Sequence, residues 1–186
     1  MALTDADEKE IRRQLVALGP RRVSALLKVT RNNPGIFGGP ILLAIGSRES
    51  GLKNIVGDGG HGRGVFQMDD RWQADWLGRV RGALSGSWNA VSKSALRSGY
   101  VPLFVPSLRR ARRILVDNYT YLIENGIPAH LAKKAAVSAY NCGPGNVKKA
   151  WDNGKDLDYY TTGGNYAKDV FERRDVVRDW LKEEGF

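Results

Sequence analysis

The sequence has little of several features that would place it in a specialised class of protein. It has one cysteine, Cys142, in 186 residues, so no disulfide can form within the chain. The longest nearly apolar run, Ile36 to Gly46, has 11 residues and includes Pro40, whereas a membrane-spanning helix needs about 20. The N-terminal MALTDADEKE is acidic and has no apolar stretch. We therefore expect no transmembrane segment, no signal peptide and synthesis in the cytoplasm.

The chain also lacks fixed-period repeats and low-complexity tracts. Hydrophobic residues make up 42% and charged residues 26%, which is typical of globular proteins and excludes a collagen, a coiled-coil rod or a disordered tail. The length fits one domain with a sizeable core. We predict a single domain over residues 1–186, with N-terminal helices in 1–33, and a monomer.

Acidic residues are scarce in the middle of the chain. Lys and Arg total 29 against 20 Asp and Glu, a net charge of +9. The window from Arg71 to Lys149 holds 13 basic residues and three acids, a net +10, and the remainder sums to −1. Such a field attracts polyanions. Charge alone does not decide between nucleic acid, an anionic wall or membrane surface, and a merely solubilising surface.

Helical patterns surround one glycine-rich break. The predicted helices run from Thr4 to Leu18, Arg21 to Val29, Pro40 to Ser50, Ser107 to Glu124, Pro128 to Asn141 and Tyr166 to Glu184, with caps or breakers at most of their ends. Asn54 to Asp70 reads as turns and short strands, and Gln73 to Pro106 gives no clear pattern. The fold class is α+β, mostly helical with a small glycine-rich β-hairpin.

Glu49 is the first candidate catalytic residue. Ile41, Ile45 and Glu49 are spaced i, i+4, i+8, so Glu49 extends an apolar face at the end of its helix. Burial and the negative end of the helix dipole both raise the pKa of a carboxyl there. A carboxyl kept neutral near pH 7 suits a general acid, as in glycoside hydrolysis. The alternative is a Glu that faces solvent or pairs with a neighbouring cation.

Two further acids flank the glycine-rich segment GDGGHGRGVFQMD. Asp58 and Asp69 lie at its ends, and acids placed so, facing the end of the acid-bearing helix, could hold a water for attack. The alternative is structural, with Asp58 starting a turn and Asp69 capping the next element. A dinucleotide fingerprint is disfavoured because a helix precedes the glycines. His61, His130 and Cys142 are too scattered for a zinc site, so no metal or cofactor is expected.

Three motifs in order resemble the goose-type lysozymes, which are related to the soluble lytic transglycosylases. The first combines Ser47-Arg48-Glu49-Ser50 and Gly57-Asp58 with Gly62-x-Gly64-x-x-Gln67-x-Asp69. The second is Ser138-Ala139-Tyr140-Asn141-Cys142-Gly143-x-Gly145-Asn146-Val147, and the third is Asn165-Tyr166-Ala167-x-Asp169-Val170. Together they cover about 40–185.

The resemblance implies a lysozyme-like fold and cleavage of the β-1,4 bond between N-acetylmuramic acid and N-acetylglucosamine in peptidoglycan. By position, Glu49 is the general acid, and Asp58 and Asp69 match the acids that place or activate the water. The residues that match the substrate cleft are Ser50, Gln67, Tyr140, Asn141 and Tyr166. The sequence pattern by itself does not distinguish Tyr140 or Tyr166 from tyrosines that fill a core.

The sequence departs from the family in two places. Arg63 stands where the family usually has an aromatic residue and Phe66 where methionine is common. Residues 71–106 look like an insertion that holds Trp72, Trp76 and Trp88 among basic residues. This segment either adds contacts to glycan and anionic wall polymers or forms a surface excursion with its own small core.

Hydrolysis needs a placed water, whereas a transglycosylase needs only the acid and yields 1,6-anhydro ends. The presence of both Asp58 and Asp69 favours a hydrolase. A catalytically dead basic module that binds wall or nucleic acid is the rival class, although Glu49 argues against it and no nucleic acid is expected. A cytoplasmically made enzyme whose substrate is the wall suits a phage endolysin that lyses its host.

Overall fold

The computed structural model describes residues 3–31, 35–84 and 100–186, and within these ranges the chain is mostly helical with two small antiparallel sheets. The helices are α1 (Asp5–Leu18), α2 (Pro20–Arg31), α3 (Gly39–Ser50), α4 (Asp70–Leu77), α5 (Phe104–Glu124), α6 (Ala129–Cys142), α7 (Pro144–Asp152) and α8 (Tyr166–Glu183). The strands are β1 (Val56–Gly57), β2 (Gly62–Arg63), β3 (Met68–Asp69), β4 (Gly82–Leu84) and β5 (Tyr100–Pro102). The predicted α+β class is confirmed.

The six predicted helices are all present, with ends that follow the expected signals. Thr4 caps α1 with a capping box shared with Asp7, and Gly51 ends α3 in the left-handed conformation. Helix α5 begins three residues earlier than predicted, because Pro106 lies in its first turn, where no hydrogen bond from its nitrogen is needed. Helices α4 and α7 were not predicted.

Helix α3 is the centre of the core. Every residue from Ile41 to Ser47 is buried, so this helix is enclosed on all sides rather than along one apolar stripe. It packs most extensively against α8, and α8 packs in turn against α1 and α6. The end of α3, which carries Glu49, is therefore fixed from several directions.

The glycine-rich segment forms a three-stranded antiparallel sheet in the order β1-β2-β3. Val56 pairs with Arg63, and Gly62 pairs with Asp69. A single 3₁₀ turn over Asp58–Gly60 joins β1 to β2. The segment is thus a small meander with one strand more than the predicted hairpin, and it follows α3 directly.

The predicted insertion is described only in part. Its described residues form α4 and the antiparallel pair of β4 and β5, and Trp72 is 80% exposed whereas Trp76 packs against the core. Trp88 lies outside the described residues. The single-domain boundaries and the wall-binding role of this segment stay predictions.

In the described ranges, the helices are too short or too polar to cross a membrane.

Candidate active site

A cleft of about 380 Å³ lies where the end of α3, the three-stranded sheet, α6 and the start of α8 meet. It is lined by Arg48, Glu49, Asp58, Gly62, Gln67, Asp69, Arg71, Tyr140, Asn141, Thr162 and Tyr166. Seven of the eight residues predicted for the site line this cleft, so the three sequence motifs converge in space.

Glu49 lies in this cleft, where its carboxyl is partly buried against the tyrosine of α8. The hydroxyl of Tyr166 donates a hydrogen bond to Oε1 of Glu49. Burial raises the pKa of Glu49 to about 7 and outweighs the opposing effects of the Tyr166 hydrogen bond and of Arg48. The predicted direction of this shift is confirmed, and the carboxyl can hold a proton near neutral pH.

The pairing alternatives for Glu49 are not observed. The neighbouring cation, Arg48, is turned to Asp169 of α8, with its Nε 3.0 Å from the carboxylate. Lys53, the other nearby cation, is exposed. Asp58 raises the pKa of Glu49 further, since a second negative charge disfavours ionisation.

Tyr166 is placed by a buried carboxylate in the loop before α8. Asp158 is 1% exposed, and its side chain accepts hydrogen bonds from the backbone N–H groups of Ala167 and Lys168 at 2.9 and 3.2 Å. The hydroxyl of Ser138 in α6 donates to the same carboxylate at 2.8 Å. Asp158 thus caps the N-terminus of α8 from the preceding loop and links this helix to α6. This arrangement positions Tyr166 against Glu49.

Asp58 and Asp69 are joined by one arginine. Nη2 of Arg71 lies 2.8 Å from Oδ2 of Asp58 and 2.5 Å from Oδ2 of Asp69. The hydrogen bonds from Arg71 lower the pKa of Asp69 below its ordinary value. Asp69 also caps α4 by accepting from the backbone of Arg71, and Asp58 begins the 3₁₀ turn. Both acids therefore have the structural roles considered above, starting a turn and capping a helix, and both also line the cleft.

Gln67 lies across the small sheet. Its amide nitrogen donates to the carbonyl of Gly64 at 2.7 Å, and its side chain covers the backbone of Gly57 and Gly62, where a Cβ atom would collide with it. Its own φ is +44°. A side chain at Gly57 or Gly62 would therefore displace the end of the Gln67 side chain.

Ser50 does not line the cleft. Its hydroxyl donates to the carbonyl of Val65 at 2.8 Å and to that of Gly46 at 3.2 Å. This side chain ties the end of α3 to the chain between β2 and β3. The predicted role in substrate binding is untested, and the contacts of Ser50 are those of a support for the site.

Tyr140 and Asn141, at the end of α6, form the wall opposite the sheet. The Tyr140 hydroxyl donates to the carbonyl of Phe66 at 2.9 Å. Oδ1 of Asn141 accepts from the backbone N–H of Thr162 at 2.8 Å. These two contacts fix the distance between α6, the sheet and the loop before α8, and so set the width of the cleft.

A second cavity of about 460 Å³ continues from the first. The two share Gln67, Asp69, Tyr140 and Asn141, and the second extends to the exposed indole of Trp72. The two cavities therefore form one continuous groove. In the described part of the chain, no group of three His, Cys, Asp or Glu residues could hold a metal ion.

The chain is similar to lysozyme g of Gallus gallus. The two are 28% identical over 153 residues, which is 78% of this chain and 57% of the chicken protein. No family model matches the chain. The weak homology supports a lysozyme-like family, and with the helical architecture and the three-stranded sheet it identifies a lysozyme-like α+β fold. This chain spans little more than half the length of that relative.

Arg71 and Thr162 were missed as site residues. Arg71 was counted only as one of the basic residues between Arg71 and Lys149. The one available signal is its position two residues after Asp69. At a helix N-terminus, the residue two positions after the capping residue lies close to the capping carboxylate. Thr162 contributes through the loop before α8, and nothing in the sequence pairs it with Asn141.

Proposed function

We propose that the protein is a peptidoglycan-degrading N-acetylmuramidase of the goose-type lysozyme class. It would hydrolyse the β-1,4 bond between N-acetylmuramic acid and N-acetylglucosamine. The observation that carries this proposal is the partly buried Glu49 carboxyl, with a pKa of about 7, held by Tyr166 in a groove whose other wall carries Asp58 and Asp69. The similarity to lysozyme g supports the substrate class.

We infer an inverting mechanism from the presence of Asp58 and Asp69 in the same cleft as Glu49. Glu49 donates its proton to the glycosidic oxygen as the bond to the anomeric carbon breaks and positive charge develops on the sugar ring. A water held by Asp58 and Asp69 attacks that carbon from the opposite face, and its proton passes to the aspartate pair. Since Arg71 lowers the pKa of Asp69, we assign these aspartates mainly to positioning the water and stabilising the cation.

Replacing Glu49 tests the proposal. Glu49→Gln keeps the size of the side chain but cannot donate a proton at neutral pH, so we expect clearing of suspended bacterial walls to fall at least a hundredfold. Glu124→Gln is the matched control, because this acid is exposed on α5 away from the cleft. Walls cleared equally by wild type and Glu49→Gln, or not cleared by wild type at all, would contradict the assignment.

A lytic transglycosylase is the second candidate, since it needs only the general acid. The presence of both Asp58 and Asp69 in the cleft favours water as the nucleophile. A binding module without activity is disfavoured by the raised pKa of Glu49, because a mere binding surface needs no protonated carboxyl. Nucleic-acid binding, if it occurred, would weaken steeply with salt and would not depend on Glu49.

We further propose that the protein is made in the cytoplasm and acts on the bacterial wall without a cofactor, as a phage endolysin does. The excess of basic residues would then favour its approach to anionic wall polymers. Expression inside bacteria with and without a membrane-permeabilising partner tests this route. Lysis only with the partner is the expected result, and lysis without it would contradict the route.

A further inference from the structure

A chain of ion pairs lies directly behind Glu49 and takes no part in the mechanism above. Asp169 of α8 forms ion pairs with two arginines, Arg48 with its Nε at 3.0 Å and Arg173 with its Nε at 2.8 Å. The Asp169 side chain is 16% exposed and that of Arg173 is 17% exposed. Such a half-buried cluster is held in place more firmly than a surface pair.

Arg173 is fixed independently of Arg48. Its Nη1 donates to the hydroxyl of Ser47 at 3.0 Å, and that hydroxyl donates to Oε1 of Gln14 in α1 at 2.6 Å. The contacts join α1, α3 and α8 behind the cleft. Asp169 therefore has a fixed position from which to hold Arg48.

Arg48 is the cation whose position matters for Glu49. It precedes Glu49 in α3 and lines the same cleft, and its guanidinium lies 5.9 Å from the ring centroid of Tyr166, the hydrogen-bond partner of Glu49. The charge of Arg48 already lowers the pKa of Glu49 from its present position. An Arg48 released from Asp169 that came nearer the carboxylate would favour the charged form of the acid further.

We propose that Asp169 is a positioning residue that holds Arg48 away from Glu49 and so keeps the acid protonated for catalysis. The proposal rests on the proposed function of Glu49. The other charged or titratable groups around Glu49 in the described structure are Asp58, Asp69 and Arg71 from the sheet side, Tyr140 from α6 and Tyr166 from α8. Asp169 is paired with Arg48 and Arg173, so we expect substitutions at Asp169 to act on Glu49 through Arg48.

The proposal predicts opposite effects for the two partners of one ion pair. Asp169→Asn releases Arg48 and moves the titration midpoint of Glu49 down by about one pH unit. Arg48→Gln removes the cation and moves the midpoint up from about 7. The Glu49 midpoint of the double variant should lie close to that of Arg48→Gln, because Asp169 acts on Glu49 by positioning Arg48, which is absent in both variants. A direct electrostatic effect of the Asp169 charge on Glu49 would persist in the double variant, which would then have a lower midpoint than Arg48→Gln and would overturn the positioning role.

The experiment is a pH titration of the carboxyl-carbon NMR signal of Glu49 in selectively labelled protein, with the signal assigned by its loss in Glu49→Gln. Asp175→Asn is the matched control, because it breaks an ion pair with Arg174 on the same helix and should leave the midpoint unchanged. A midpoint that stays or rises in Asp169→Asn would overturn the proposal. If that variant fails to fold, a midpoint that does not rise in Arg48→Gln overturns it instead.

The alkaline limb of wall-clearing activity should follow the NMR midpoints in each variant. This separates the two proposals. Midpoints that shift as predicted in a protein that cuts no glycan would support the role of Asp169 and refute the muramidase assignment. Activity with unmoved midpoints would refute the role of Asp169 alone.

Discussion

At the scale of single residues, the protonation of Glu49 couples its proposed catalytic role to folding. Its pKa is raised from 4.5 to about 7, so between these pH values the folded chain binds the proton more strongly than the unfolded chain. The associated stability is fully present below about pH 4.5 and is lost as the pH rises through about 7. The loss of this proton from Glu49 therefore costs stability under alkaline conditions.

Glu49→Gln should reveal that cost. Glutamine cannot ionise, so relative to wild type the variant should gain about 1–3 kcal/mol of unfolding free energy at pH 8 compared with pH 4. Urea denaturation of both proteins at the two pH values measures the difference. An equal difference at both pH values would show that Glu49 is not protonated preferentially in the folded state.

Arg71 provides a second prediction at the residue scale. Arg71→Ala removes the group that bridges Asp58 and Asp69, so the pKa of Asp69 should return toward its ordinary value and the acid limb of activity should move to higher pH. We expect kcat to fall on the order of tenfold because the water is less well placed.

Arg79→Ala is the control for Arg71→Ala. Arg79 is exposed just beyond α4 in the same basic stretch of sequence, so the substitution removes the same charge without touching the aspartates. Full kcat and an unmoved acid limb in Arg71→Ala would refute the bridging role. A loss of the same size in Arg79→Ala would assign the effect to net charge.

The sequence predicts some of these residues and not others, for physical reasons. Glu49 could be found because helical spacing reports directly which residues share a face. Tyr166 could be placed only by family resemblance, since its partner is 117 positions away and no local pattern encodes that contact. Arg71 is not predicted because its one signal, the position two residues after Asp69, does not mark it as a site residue within a basic segment.

At the scale of elements, α3 shows how a helix can present an acid. The helix is buried on all sides, and the chain of β2–β3 approaches it closely at Gly46. A Cβ atom on Gly46 would lie 2.8 Å from Leu52 Cδ2 and 3.0 Å from Val65 Cγ1. The glycine is needed for this approach, which keeps the sheet and its aspartates near Glu49.

Gly46→Ala should therefore destabilise the protein despite the better helix propensity of alanine. We expect a loss of about 1–3 kcal/mol of unfolding free energy from overpacking, measured by urea denaturation. Gly78→Ala is the matched control, because a Cβ there is 3.4 Å from its nearest neighbour, a carbonyl oxygen. A Gly46→Ala protein as stable as wild type would mean that the sheet can move away from α3.

The two helices that were not predicted have identifiable causes. Helix α7 starts at Pro144 directly after the glycine that ends α6, and the Gly-Pro-Gly run was interpreted only as a stop. Proline is equally suited to the first turn of a helix. Helix α4 has only eight residues, too few for a clear apolar stripe in a segment rich in tryptophan and charge.

At the scale of the whole molecule, the net charge of +9 should govern the encounter with the wall. If the proposed function holds, anionic wall polymers attract this positive charge, and salt at 0.1 M ionic strength screens the attraction beyond about 10 Å. We expect clearing of intact walls to fall severalfold between 0.05 and 0.5 M salt, while cleavage of an uncharged chitin oligosaccharide changes little. Equal salt sensitivity on both substrates would contradict electrostatic recruitment.

The overall architecture was largely predictable because capping, periodicity and breakers are local. The assembly of the cleft was not, because it depends on contacts such as that of Tyr140 with Phe66 and that of Asn141 with Thr162. Those contacts join segments far apart in the chain. The sequence therefore predicted the elements and several site residues, while the structure supplied the arrangement.

We propose that Glu49 protonates the glycosidic oxygen while water attacks the sugar. This can be tested by digesting purified peptidoglycan in water enriched in heavy oxygen and analysing the products by mass spectrometry. We expect new reducing N-acetylmuramic acid ends that carry one heavy oxygen, formed by wild type and absent with Glu49→Gln. Unlabelled 1,6-anhydro ends, or labelled ends formed equally well by Glu49→Gln, would contradict it.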